Sequence, residues 1–477
     1  MTTVVLLLLA SAAAVSGYGG SASTRTSGYE FDPPVPREYG FDASPADYPD
    51  GTARVDGTEY DTVAGALDAA DPGDVVTLSG WFDATPTVNT SGVELRSAPD
   101  ARAVVNGSAE GNVLTINAAN VTVRGLWIRN SGYEPSDNDA AVWINGTNVA
   151  VVDNRLTEFT FGIWIDGTPR AYVANNTIVG RERIESLTLR GNGIQVWETE
   201  HTLITHNRIT DVRDGIYYSF ASDVTARYNV MWDMRYGVHY MYTDDSTLRR
   251  NLAFDNDVGW SLMVSENLRI VNNVAYNNTG RSGHGILVKS IDDSVIANNA
   301  VVANENGFYV YNSINDTIVD NLVLGNEVGI NHQAGSVGTV SNNSFVRNDE
   351  DAYVLTGRQL AWNGSRRGNY WADAQVVDTD KDGVSEIRYR PAGLVQHLVQ
   401  RHPTAAVFAH SPAFVAVRMA ESSFPIIESP GVVDHHPLVR PPDDWTIWYR
   451  GGHDWTWYER WEPTRSGPRT NGSEARP

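Results

Sequence analysis

Through the middle of the chain, apolar and polar residues alternate in short runs, and each run starts just after a glycine. Positions one and three after the glycine read Ile163/Ile165, Ile194/Val196, Ile216/Tyr218, Val238/Tyr240, Trp260/Leu262, Ile286/Val288 and Phe308/Val310. Positions two and four read Trp164/Asp166, Gln195/Trp197, Tyr217/Ser219, His239/Met241, Ser261/Met263, Leu287/Lys289 and Tyr309/Tyr311. Alternation of period two marks a β-strand, so the first set is expected to face a core and the second to face outward. In the last run Asn331/Gln333 take the outward places, which turns His332 inward.

The glycines themselves form a column. Gly162, Gly193, Gly215, Gly237, Gly259, Gly285, Gly307 and Gly329 are spaced by 31, 22, 22, 22, 26, 22 and 22 residues. Asparagines keep step eight residues upstream, at Asn154, Asn176, Asn207, Asn229, Asn251, Asn273, Asn299, Asn321 and Asn343. Two coils carry extra residues, and both insertions fall between the Asn and the Gly, at one corner. Short strands repeating every 22 residues predict an all-β fold, a right-handed parallel β-helix of about ten to eleven coils. No single coil can bury its apolar face; stacked coils share one core. Stacked asparagines suit that geometry, because each amide can bond to the next rung.

The rest of the chain falls into place around this repeat. Residues 1–23 read as a signal peptide or anchor, with an apolar run from Val4 to Ser16 and small residues to Ser23. Its start carries no Lys or Arg. Residues 24–56 read as a linker, and residues 57–367 as the β-helix. Val63, Ala66, Leu67 and Ala70 have helical spacing and are expected to cap the open end of the solenoid. Residues 368–442 form a small mixed or helical C-terminal segment, where Ser411-Pro412 reads as an N-cap followed by a first-turn proline. Residues 443–477 are a tail rich in tryptophan.

Composition narrows the function. Asp and Glu outnumber Lys and Arg by 58 to 36, a formal charge of −22, and only Lys289 and Lys381 are lysines. Such a surface repels nucleic acid and suits a high-salt, halophilic setting. There is no cysteine, which excludes disulfides, thiolate metal sites and a thiol nucleophile. A soft-metal site must be built from methionine and histidine.

Methionine is scarce, six in all, yet Met231, Met234, Met241 and Met263 fall within 33 residues. Met241 and Met263 are 22 apart, so they are expected in the same outward place on adjacent coils, roughly 5 Å from each other. His239 precedes Met241 by two residues and shares its face, roughly 7 Å away. Two thioethers and an imidazole on one exposed patch form a soft ligand set that suits Cu(I). The same residues also suit an adaptable partner-binding strip, since methionines repack easily and Tyr217, Tyr309, Tyr311 and Trp197 lie alongside. Met231 reads as core, and Met234 falls at the Asn-type corner without an evident role. His284 is a weaker ligand candidate on the second insertion. His397, His402, His410, His435 and His436 have no recognisable ligand spacing. Asp378, Asp380 and Asp382 have calcium-loop spacing, but Tyr389 stands where a bidentate Glu is needed, so an Asp-rich turn is expected.

A polysaccharide (uronate) lyase or C5-epimerase is the enzymatic alternative. It would need an acid–base pair such as Tyr236 or Tyr240 with His239, and free basic residues for the uronate. The outward set offers only Asp166 and Lys289.

The run Arg235-Tyr236-Gly237-Val238-His239-Tyr240-Met241-Tyr242 resembles the signature of the NosD family, periplasmic β-helical factors for maturation of nitrous oxide reductase. Ser261-Leu262-Met263, His284-Gly285-Ile286-Leu287, Gly368-Asn369-Tyr370-Trp371, Ser411-Pro412-Ala413, Phe424-Pro425 and Gly431-Val432-Val433-Asp434 through Pro437-Leu438 match in the same order. The resemblance spans about residues 55 to 442, which takes in the solenoid and the segment after it. It departs at the uncharged N-terminus and in the Trp-rich tail. It implies an exported accessory protein for denitrification with no catalysis of its own. The implied partners are the membrane subunit of an ABC transporter, a copper chaperone and nitrous oxide reductase, with Cu(I) as transient cargo. A docking scaffold that binds no metal is the alternative within the same machinery. The resemblance does not itself assign ligands; His239, Met241 and Met263 rest on the register.

Overall fold

The computed structural model describes residues 28–33, 44–99, 103–181, 183–333, 335–408, 411–423 and 430–459. The expected signal segment, Phe424-Pro425, His410 and Trp461 lie outside the described residues. The solenoid is the right-handed parallel β-helix read from the repeat. Thirteen strands stack along one face, against the ten to eleven coils foreseen, because coils at both ends lack the full Asn–Gly signature. One turn shows the plan: Val230–Trp232 on the first face, Tyr236–Met241 on the second, Thr247–Arg249 on the third.

Both columns have a physical purpose. Asn229 donates its side-chain amide to Asn251 Oδ1 at 2.9 Å and to Ile204 O at 3.0 Å, while its backbone N–H also reaches Asn251 Oδ1. Each buried asparagine thus satisfies a turn of the coil below and is satisfied by the one above. The ladder runs on past Asn343 to Asn369. At the glycine column the coils approach too closely for a side chain. A Cβ on Gly237 would lie 2.7 Å from the carbonyl oxygen of Gly259. The inward set is buried as the alternation requires, with Tyr218 and Tyr240 stacked at 4.4 Å inside the core. His332 is inward too, its ring against Trp362.

The helix Val63–Ala69 buries Val63, Ala66 and Leu67 over the first coil, with Thr62 as its N-cap. Beyond the last coil, Gln359–Ala361, Tyr389–Ala392 and Gly431–Asp434 make a three-stranded sheet, followed in space by helices Leu394–Arg401 and Pro412–Ser423. Ser411 Oγ accepts from the Phe414 N–H at 3.3 Å, the N-cap expected there. Asp434 is buried and receives Asn369 N at 2.7 Å and Trp371 Nε1 at 2.8 Å, which pins this sheet to the end of the Asn ladder.

The Trp-rich segment folds back along the first face. Trp448 and Tyr458 cover a stripe of outward Trp232, Phe254, Tyr276 and Leu324 that would otherwise be an exposed apolar patch. Phe31 stacks on Tyr276 at 3.9 Å, and Glu30 N bonds to Trp448 O at 2.8 Å, so residues 29–31 and the Trp-rich segment share this cover.

Candidate soft-metal face

The second face carries the candidate site, on a different side of the solenoid from the aromatic strap. Strands Asp214–Ser219, Tyr236–Met241 and Val258–Glu266 lie side by side. Tyr217 is the register partner of His239, His239 of Ser261, and Met241 of Met263. Both thioethers therefore occupy one column on adjacent coils, and both are half-buried. The two insertions sit on the coils that begin at Asn176 and Asn273, so they flank the three coils bearing these residues.

His239 is more enclosed than the exposed patch foreseen. It faces outward but is only 7% exposed, because Tyr217 and Tyr236 stand edge-on to its ring at 4.7 and 5.0 Å. Its Nδ1 lies 3.1 Å from Asp214 Oδ2. Nε2 is buried with no hydrogen-bond partner among the described residues, as is Ser261 Oγ.

Asp214 is fully buried, and Arg235 on the next coil grips it with two bonds of 2.8 and 2.6 Å. Burial alone would raise the Asp214 carboxyl, but the hydrogen bonds from His239 and Arg235 outweigh it and hold the group below its ordinary value. Arg235 also lies 4.3 Å from the Tyr236 ring. Tyr217 was placed on this face by the sequence, but Asp214 was missed as a partner of His239. The signal was present, since Asp214 and Tyr217 stand 22 residues before Tyr236 and His239.

The remaining candidates separate from this group. Met231 is core, as read. Met234 is core as well, 2% exposed, and its N–H bonds to Asn256 Oδ1. It stands at the foot of a second buried ladder, Asn256, Asn278, Asn304, Asn326 and Asn348. His284 pairs in register with Val258, while Met263 pairs with Lys289. His284 is thus displaced five residues along the strand, stacked on Tyr309 at 4.7 Å, and burial lowers it to about 4. His435 and His436 are adjacent at 6.5 Å, and His402 is exposed. The carboxylates of Asp378, Asp380 and Asp382 cluster within 4.8 Å, but each accepts a backbone N–H of its own turn. Tyr240, one acid–base candidate, is sealed in the core.

Fold and face together define a parallel β-helix that presents paired thioethers and a carboxylate-bound imidazole from its outer wall. The family described as periplasmic copper-binding protein (NosD) matches residues 174–376, and a family described only as of unknown function matches residues 60–248. A "Probable ABC transporter binding protein NosD" of Pseudomonas aeruginosa is 35% identical over 360 residues, covering 72% of this chain and 83% of that protein. The protein of the same name from Stutzerimonas stutzeri is 33% identical over 370 residues, covering 74% and 84%. The chain belongs to the NosD family. Among solved structures, the surface adhesin PfbA of Streptococcus pneumoniae aligns at a TM-score of 0.44 and 12% identity, over 68% of this chain and 92% of that one. That likeness bears on neither site nor function.

Proposed function

We propose that this protein handles Cu(I) outside the cytoplasm, in association with an ABC transporter, for the maturation of nitrous oxide reductase. The observation that carries the reading is the register of Met241 on Met263, beside a buried imidazole nitrogen, His239 Nε2, with no hydrogen-bond partner among the described residues. Thioether and imidazole are neutral, soft to borderline donors, and they suit Cu(I) better than magnesium or calcium. The site lies on the outer wall, where cargo can be taken up and passed on. The family description and the names of the two relatives agree with copper and a transporter. A small copper chaperone as donor and the reductase as acceptor complete the proposal, as does export by the segment at residues 1–23.

The test is a Cu(I) titration of the purified chain against a competing chelator. Met241→Ala and Met263→Ala are each expected to weaken binding at least tenfold, and Met231→Leu to leave it unchanged. Equal affinity in all four proteins would end the copper reading.

A docking scaffold is the second reading, favoured by one observation. Phe220, Tyr242 and Val264 flank the methionines, are 54, 49 and 37% exposed, and sit at φ of 52, 53 and 47°. Bulky side chains rarely take that left-handed conformation. Retained transporter association without any Cu(I) affinity would favour this reading. The uronate alternative is weakened because the Arg235 guanidinium is engaged by Asp214 and Tyr240 is buried; release of unsaturated product from alginate or pectin would revive it.

A further inference from the structure

We infer that Asp214 is a positioning residue that holds His239 as its Nδ1–H tautomer, leaving Nε2 as the unprotonated donor on the methionine face. The inference rests on the copper reading for its purpose, though not for its geometry.

The fold does not call for an acid at this place. The place before the glycine varies from coil to coil, apolar at Phe161, Val258 and Val328 and polar at Asn192, His284 and Asn306, so stacking itself does not dictate a carboxylate there. A carboxylate with no exposure is costly unless its charge and lone pairs are met. Arg235 meets the charge through two bonds, and Arg213 Nε stands 3.8 Å away. The remaining contact is His239 Nδ1 at 3.1 Å. An ionised carboxylate can only accept, so Nδ1 must donate. In the neutral ring Nε2 then carries the lone pair. That atom is buried and unpartnered, a costly state for a polar group unless something fills it.

Metal-bound histidines characteristically give their other N–H to a carboxylate or carbonyl, which fixes the ring and raises its basicity. The edges of Tyr217 and Tyr236 hold the ring from two sides. Charge adds a preference. Asp214 is matched by Arg235, Arg213 Nε stands 3.8 Å from it and Lys289 is the register partner of Met263, so with three neutral donors a divalent ion leaves more uncompensated positive charge in this half-buried place than a monovalent one. The arrangement therefore selects Cu(I) over Zn(II) as well as by softness.

The experiment uses the full chain labelled with nitrogen-15 in histidine. Long-range nitrogen–proton spectra of the metal-free protein, recorded where the ring is uncharged, are expected to show His239 protonated at Nδ1 and bare at Nε2. Asp214→Leu/Arg235→Leu removes both charges together, so neither is left stranded. In it the Nε2–H form is expected to appear and Cu(I) affinity to fall by about 10- to 100-fold. An Nε2–H tautomer in the unmutated protein overturns the inference whatever copper does. So does a double variant with unchanged tautomer and affinity. The expected tautomer in a chain that binds no Cu(I) upholds the assignment and overturns the copper reading instead.

Discussion

Met263 stands on Met241 as its direct register partner in parallel strands of adjacent coils. Both sulfurs lie on the outer wall, while Met231 and Met234 are enclosed in the core. Oxidation to sulfoxide follows exposure. Limited peroxide treatment followed by peptide mass analysis is expected to modify Met241 and Met263 well before Met231 and Met234. Prior loading with Cu(I) should slow the first pair selectively. Uniform oxidation of all four would contradict the placement.

Asn251 is a rung of the buried ladder. It donates to Ala226 O and Asn273 Oδ1 and accepts from Asn229. Asn251→Ala removes the side-chain partner of two buried backbone groups, Asn229 N–H and Ala226 C=O, and of two neighbouring amides, each unpaired group costing about 1–3 kcal/mol. The expected result is a fall of several kcal/mol in unfolding free energy by denaturant titration. Asn277, whose side chain makes an exposed bond to Asp255, serves as the control, and Asn277→Ala should cost well under half as much.

Asp316 gives a pH signature. Burial first, then the nearby Asp292 and Asp293 charges, raise it to about 7, against the bond it accepts from Ser294 N. A carboxyl raised in the folded state binds more protons folded than unfolded, so its contribution is present at low pH and is lost as pH rises through 7. Asp316→Asn keeps an acceptor for Ser294 and cannot ionise. Its melting temperature relative to the unmutated protein is expected to climb between about pH 4 and pH 7 and then level off. A flat difference would show that Asp316 titrates normally.

How much of this was legible without coordinates depends on what the repeat spells out. The Asn and Gly columns identify coils, register and inward faces, because stacking forces the same chemistry every 22 residues. The second ladder from Asn256 to Asn348 has equally regular steps and was overlooked, which left Met234 without a role. Asp214 escaped for another reason. It lies before the glycine, outside the alternating run, and its register partner is Tyr236, so its contact with His239, three residues further along, has to be read diagonally across the strand pair. The aromatic cover over Trp232 and Tyr276 joins residues 29–31 to residues 445–458, a contact no periodic pattern can encode.

That cover predicts a cost on truncation. Ending the chain at residue 442 removes Trp448 and Tyr458 and bares the stripe of Trp232, Phe254, Tyr276 and Leu324. Burial is worth about 25 cal/mol per Å² of apolar surface, so both lower thermal stability and self-association are expected. Light scattering and melting curves check this. A truncated chain that stays monomeric with unchanged stability would show the strap to be dispensable.

In the proposed site one copper ion is held by two sulfurs and one nitrogen across adjacent coils. X-ray absorption at the copper edge of the Cu(I)-loaded chain reads that ligand set directly. The expected result is a mixed shell of sulfur and nitrogen that loses one sulfur in Met263→Ala and its nitrogen in His239→Ala. A shell without sulfur, or one unchanged by either substitution, would contradict it.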